Sequence, residues 1–294
     1  MEKVIFNSKM TFFAPQNAIS LYSCIMRRIH IPTGTAIVMI FWLLPAAFTM
    51  GQTMVTYIAN EGVMISNGKS KVLIDPFFKV GFNLYQTPRI DNLNLFLEKH
   101  PSLRDADLIL ITHRHADHID PHLVAEYLKL NSKTKLISSS QASDSLVNQF
   151  GISNNRIVNI LPKMNQELLL IPEQRVDVKA AWMRHGNERN FGVVNLCFLT
   201  KLGDKKVLHL GDSEINPDSF TTVDFSTEKI DVLLAPYWWL MGPYGPVIIK
   251  EKIKPKKIVA FHVAADYATV KDEIIKNFPD VTFFDTAFSS VKVD

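Results

Sequence analysis

Residues 112–118 read Thr112-His113-Arg114-His115-Ala116-Asp117-His118, so three imidazoles and one carboxylate fall within six positions. Imidazole nitrogens and carboxylate oxygens are ligands for divalent metal ions. In a tight turn His113 and His115 can point to one centre while Asp117 and His118 reach a neighbouring one. A lone histidine is ordinarily a packed or solvated residue, but a cluster of this density is a metal-site pattern. Three more ligand-type residues follow short apolar runs. Asp212 comes after KVLHL and Gly211, His262 comes after IVAF, and His185 lies between VDVKAAW and GVVNLCF.

For these groups to meet, several strands must end at one edge. Short β-type runs at 55–59, 62–66 and 71–74 are separated by Asn60-Glu61 and by the hairpin signal Asn67-Gly68. The wholly apolar run LILI at 108–111 leads straight into the histidine cluster and predicts a strand buried on both faces. Asp120 suits a helix N-cap and Pro121 the first helical position, so a helix is predicted through HLVAEYLKLN. Residues 135–138 predict a strand and 141–150 a helix that stops at Gly151. From about 156 to 210 the pattern is mostly β. Further strands are predicted at 230–234, 258–261 and 281–284, with a helix over 270–278. Residues 77–106 are mixed. Open α/β sheets place their sites outside the carboxyl ends of strands, where these runs deliver His, Asp and His. No repeat or linker divides 52–294, so one domain is predicted there, behind an N-terminal stretch 1–51.

With those residues in hand, the chain resembles the metallo-β-lactamase fold superfamily. HRHADH looks like its HxHxDH signature, and the lone later histidine, the Gly-Asp after a strand and the strand-terminal histidine follow in the family's order. The resemblance runs over 53–294. It implies an α/β fold, an αββα sandwich with a dinuclear metal site at one sheet edge. It implies further that His113, His115 and His185 bind a first metal, that Asp117, His118 and His262 bind a second, and that Asp212 bridges them. The cofactors would be two divalent ions, zinc first, with manganese or iron as alternatives. Such a pair shares a bridging water and lowers its pKa toward neutrality, giving a hydroxide nucleophile. Asp117 would be catalytic as well as a ligand, orienting that nucleophile or relaying its proton. Zinc β-lactamases place Cys at the position of Asp212 or lack the bridging Asp. The site therefore resembles those of lactonases, thioester hydrolases and phosphodiesterases, and most of all the group containing ascorbate-6-phosphate lactonase. The expected activity is hydrolysis of a lactone or carboxylic ester. A phosphodiesterase acting on a lipid or nucleotide and a non-catalytic metal-binding protein are the alternatives.

Other residues carry two readings each. Asp75 ends an early strand and is either a partner for a ligating histidine or a turn-capping residue before Pro76. Tyr237, Trp238 and Trp239 follow an apolar strand at the expected site edge, as a substrate wall or as a core plug. His209 alternates with apolar neighbours and reads as core or as support for the ligands. Arg114, Arg184 and Arg189 lie near ligand positions and would suit an anionic group or solvent. Cys197 reads as a buried apolar residue. The lysines at 250, 252, 254, 256 and 257 read as a solvated face.

Composition narrows the class. The chain has 294 residues, 47% hydrophobic and 21% charged, enough apolar side chains for a sizeable core and too many for a disordered chain. Net charge is +3, carried by Lys3, Lys9, Arg27 and Arg28 against Glu2, so residues 52–294 are formally neutral. That argues against nucleic acid as a partner and for a small-molecule substrate. Cys24 and Cys197 cannot form a disulfide framework or a CxxC motif. Arg27-Arg28, the apolar run 36–48 and the small residues Thr49 and Gly51 follow the order of a secretory signal. The run is short of the roughly 20 residues a spanning helix needs, although its continuation to Val55 would make an uncleaved anchor. An exported, periplasmic protein is expected, with membrane anchoring through this segment as the alternative. Met26, directly before the arginine pair, is an alternative translation start.

Overall fold

Strands that are apolar at every position must be covered on both faces, and the arrangement of the chain follows from that requirement. The structure is a computed structural model that describes residues 51–294 apart from Lys99, Pro101, Gln174, Asn187 and residues 265–267. The expected signal at 36–48 and its basic pair lie outside the described residues. β1 (Met54–Ala59), β2 (Gly62–Ser66), β3 (Lys71–Ile74), β4 (Leu108–Leu110), β5 (Lys135–Ser138) and β6 (Ile157–Asn159) form one sheet in that order. β7 (Leu169–Pro172), β8 (Asp177–Trp182), β9 (Leu196–Leu202), β10 (Lys205–His209), β11 (Val232–Pro236), β12 (Lys257–Phe261) and β13 (Thr282–Phe283) form the second. The last strand, β14 (Ser290–Lys292), returns to pair antiparallel with β1. Both sheets are mixed: β3 to β6 and β10 to β13 run parallel, and the other pairs are antiparallel.

Period-2 alternation splits each strand between two apolar layers. Val72, Ile74, Leu108 and Leu110 face inward and meet Val178, Leu196, Phe198, Val207 and Leu234 of the other sheet. Leu73, Ile109 and Leu136 face outward under α1 (Ile90–Leu97), α2 (Pro121–Leu130) and α3 (Ser140–Asn148). On the opposite outside, Cys197, Leu208, Leu233 and Ala260 pack with Trp239, Ile248, Ile249 and Ile274. Those come from the turn Tyr237–Leu240, from α5 (Tyr244–Ile248) with the wide turn Ile249–Ile253 behind it, and from α6 (Ala268–Asn277); the short α4 is Ser219–Thr222. The layers are helix, sheet, sheet, helix, the α/β sandwich the resemblance implies. Among the described residues no helix is long and apolar enough to cross a membrane.

The predicted elements appear with small shifts. Asp120 caps α2, its Oδ1 accepting from the His122 amide at 2.9 Å and the Leu123 amide at 3.2 Å, with Pro121 opening the helix. The sheet edge that carries the ligand residues is tied together across the sandwich. The Leu196 amide donates to Thr112 O at 2.9 Å and the His262 amide to Asn60 O at 3.2 Å.

Gly62 opens β2 at that same edge. A Cβ there would stand 2.8 Å from Asp75 O and 2.9 Å from Ala59 O, and backbone oxygens cannot swing aside. Gly62→Ala is expected to destabilise the protein by about 1–3 kcal/mol, seen as a lower denaturant midpoint at unchanged slope. Gly192→Ala, where nothing lies within 4 Å, is the control and should leave the midpoint in place.

Candidate metal centre

The loop after β4 is short and closed on itself: His118 N and Ile119 N both donate to His115 O, at 3.0 and 3.1 Å. That turn throws His113 and His115 to one side and Asp117 and His118 to the other. Ligand-type atoms of His113, His115, His185 and Asp212 lie within 4.8 Å of one another, and so do those of Asp117, His118 and His262. All seven residues proposed from the sequence converge at one edge. Asp212 stands between the two groups. Its Oδ2 is 3.3 Å from His185 Nε2 and 3.8 Å from His113 Nε2, while its Oδ1 is 3.3 Å from His262 Nε2 and 3.4 Å from His118 Nε2. Asp117 Oδ2 is 3.8 Å from both His118 Nε2 and His262 Nε2.

The backbone is bent to make this possible. Gly211 has φ 55°, and a Cβ there would meet Asn195 Oδ1 at 2.6 Å. The same Asn195 oxygen accepts the Asp212 amide at 2.9 Å. Asp75 (φ 43°) and His262 (φ 52°) also hold the left-handed region that side chains avoid, a strain that persists only where surrounding contacts enforce it. Asp75 is the partner expected for a ligating histidine. Its Oδ2 is 2.8 Å from His118 Nδ1 and accepts the Thr112 hydroxyl at 2.5 Å, and its Oδ1 accepts the Thr112 amide at 2.8 Å. With the hydroxyl proton given to Asp75, Thr112 Oγ1 accepts from His113 Nδ1 at 3.0 Å. Both imidazoles are thereby turned so that Nε2 faces the cluster.

The atoms left over test whether metal fits. Buried and without a hydrogen-bond partner among the described residues are His118 Nε2, His185 Nε2, His262 Nε2 and Asp212 Oδ1. Unpaired buried polar atoms are costly and rare, yet these face one another across a few ångströms. A set of imidazoles and carboxylates so arranged fits divalent cations.

Charge states follow from burial and neighbours. Burial, then the His118 charge, holds His113 well below the usual histidine range, and burial with His185 lowers His115. For His118 burial pulls downward, but Asp212 and Asp75 overcome it and raise the pKa to about 9. Burial also opposes the Asp212 charge, and His262 and His118 outweigh it, so Asp212 is held well below the carboxylate range.

Other predicted residues fall in different places. Trp238 is half-buried with its ring 5.0 Å from that of His262, and Tyr237 stands 5.4 Å from Trp238. Trp239 is not part of any wall. It is fully buried against Phe220 in the outer core, because a three-residue-per-turn helix sends adjacent side chains in different directions. Both indole N–H groups donate to Ser213 O, at 3.1 and 2.9 Å. Arg184 is ion-paired to Glu214 at 2.7 Å and covers the Phe191 ring, while Arg114 and Arg189 are exposed. His209 is buried behind the site, accepting the Gly211 amide at Nδ1 and reaching Glu61 O with Nε2, and burial lowers its pKa to about 4.

Two residues escaped the sequence reading. Glu61 is fully buried 3.8 Å from His118 Nδ1, its pKa raised by burial and then by Asp212 and Asp75. In sequence it is an ordinary polar residue in a turn. Tyr85, from the mixed stretch before α1, lays its ring against His262 at 4.0 Å. No periodic signal marks it.

Residues 54–262 match the beta-lactamase superfamily domain, and the chain belongs to that family. A UPF0173 metal-dependent hydrolase of Thermococcus onnurineus is 26% identical over 201 residues, 66% of this chain and 78% of the relative. One of Thermus thermophilus is 24% identical over 216 residues, 71% of this chain and 82% of the relative. Among solved structures, the metallo hydrolase Igni18 of Ignicoccus hospitalis superposes with a TM-score of 0.57 at 17% identity, over 83% of this chain and 99% of that one. The diiron β-hydroxylase CmlA of Streptomyces venezuelae gives 0.57 at 15% identity, over 82% of this chain and 54% of that one. At these identities the structural likeness concerns the fold.

The charge states yield a test. With a pKa near 9, His118 of the metal-free protein carries a proton at pH 7 that His113 and His115 do not. A metal bound at His118 Nε2 must displace that proton, so affinity falls as pH drops. Zinc uptake at pH 7, followed by calorimetry in buffers of different ionisation enthalpy, should release at least about one proton per chain. Proton-neutral uptake would contradict the assignment.

Proposed function

We propose that this member of the beta-lactamase superfamily is a metal-dependent hydrolase of a lactone or carboxylic ester, with two divalent ions as cofactor. The observation that carries the reading is the division of Asp212, one oxygen toward each histidine group. His113, His115, His185 and Asp212 would hold one ion; Asp117, His118, His262 and Asp212 the other. Zinc is the first expectation, with manganese or iron as alternatives. Such ions, when bound, supply Lewis acidity and water of lowered pKa.

The chain's own residues do the rest. Asp75 and Thr112 fix the ring orientation of His118 and His113. Asp117, 5% exposed at the surface of the site, orients the attacking water and holds its proton. Trp238 lies half-buried against His262 with Tyr237 beside it, an apolar neighbourhood that suits an ester or lactone with an apolar portion. Arg184, the half-buried arginine next to His185, is committed to Glu214. The substrate is a small molecule rather than nucleic acid. Export is part of the reading and rests on the order of residues 27–51.

Elemental analysis of the purified protein, run beside Asp212→Ala and a panel of lactone, aryl ester, β-lactam and phosphodiester substrates, tests this reading. About two metals per chain are expected, with one carboxyl-ester activity. In Asp212→Ala both should fall, activity by more than the roughly 10–100-fold typical of losing an outer partner. Turnover of the phosphodiester alone would move the function to that alternative. Two metals with no turnover of any substrate would favour the binding-protein alternative.

A further inference from the structure

The turn before Tyr85 has a backbone that one of its residues does not favour. The Leu84 and Tyr85 amides both donate to Gly81 O at 2.8 Å, and the turn so closed holds Phe82 at φ 52° and Asn83 at φ 56°. Asparagine tolerates the left-handed region, whereas a bulky phenylalanine is an outlier there. Strain of this kind persists where surrounding contacts enforce it, and it gathers at functional sites. The enforcing contacts lie on both sides. Before the turn, Lys79 pairs with Asp120 at 3.2 Å. After it, Tyr85 pairs with Ala264 in an isolated antiparallel bridge, and Gln86 Nε2 donates to Asp285 O at 3.0 Å.

The strained turn does not bury its apolar side chains. Phe82 is 62% exposed, Leu84 43% and Val80 40%. Three large apolar residues close together in water mark a place that binds something apolar. That place borders the ligand row. The Tyr85 ring lies edge-on to the His262 imidazole, centroids 4.0 Å apart, and Trp238 reaches the same imidazole at 5.0 Å. Phe82 and Leu84 stand within one turn of the ring that touches the ligand. Three side chains are far fewer than the roughly 20–30 residues a side of a stable protein interface. They match a hydrocarbon tail in size.

We propose that Phe82 and Leu84 determine specificity, by binding the acyl chain of a medium-chain carboxylic ester whose ester group sits at the metal centre. The chain runs outward past Tyr85, and Phe82 and Leu84 remove its methylenes from water. This role rests on the hydrolase reading above and names its substrate class. The two side chains touch only the tail, so they act on binding rather than on the chemical step.

Phe82→Asn removes the ring and installs a residue suited to the left-handed backbone. The zinc-loaded full chain would be compared with Phe82→Asn, Leu84→Ser and Leu130→Ser, the last an exposed leucine at the end of α2. The readouts are thermal midpoint, kcat and KM on 4-nitrophenyl acetate and octanoate, and calorimetric binding of sodium acetate and sodium octanoate. A fully buried methylene is worth about fourfold, so wild-type kcat/KM should favour octanoate over acetate by at least about tenfold. That preference should shrink by about 3–10-fold in Phe82→Asn and in Leu84→Ser, through a higher KM for octanoate. Free octanoate should bind the wild type more tightly than acetate and lose most of that advantage in both variants. The Phe82→Asn midpoint should equal or exceed that of the wild type, and Leu130→Ser should keep the preference.

A wild type without the octanoate preference, or variants that retain it, would overturn the proposal and leave the hydrolase reading intact. A lowered midpoint in Phe82→Asn would do the same, by making the phenylalanine structural. So would a dimer that dissociates in that variant, which would assign the turn to a second copy of the chain. If the wild type cleaves neither ester, the ester reading fails on its own and the carboxylates decide this one. Octanoate bound more tightly than acetate, and weakened in both variants, supports the acyl-chain site; equal binding, or none, overturns it.

Discussion

Asp212 offers one carboxylate oxygen to His113 and His185 and the other to His118 and His262, and that division constrains the structure behind it. A carboxylate can stand between two groups of imidazoles only if its backbone is brought to the sandwich edge and turned. Gly211 supplies the turn at φ 55°, and Asn195 fixes the amide that follows. The two sheets must also end level. The backbone bonds from Leu196 to Thr112 and from His262 to Asn60 hold them so. Remove the carboxylate and several buried imidazole nitrogens face one another with nothing between them.

The same concentration of unpaired atoms explains the electrostatics. His113 and His115 are kept neutral by burial and by neighbouring imidazoles, whereas His118 is drawn toward the charged state by Asp212 and Asp75. A His118 held charged beside a His113 and a His115 held neutral is the metal-free compromise among groups that cannot all reach water. A set of groups costly to bury alone is what a bound cation stabilises. Around it lie aromatic rings: Tyr85 and Trp238 both abut His262, so the ligand edge borders an apolar lip.

Much of this was legible in the sequence because the information is local. His113, His115, Asp117 and His118 share one turn, and their spacing alone aims them at two centres. Asp212 and His262 were legible because apolar runs ended in ligand-type residues. The burial of Glu61 was not, since it depends on what the other sheet brings over a turn. Tyr85 lies in a stretch with no period. Trp239 was misplaced because three consecutive aromatics carry no sign of which one turns inward. β14 is three residues with polar ends, too short to show alternation, and exists because β1 offers an edge.

The most direct measurement of the central claim is anomalous diffraction at the zinc edge from crystals grown with zinc. The account predicts two peaks joined through Asp212, one bounded by His113, His115 and His185, the other by Asp117, His118 and His262. A single peak, or peaks elsewhere, with Asp212 unligated would contradict it.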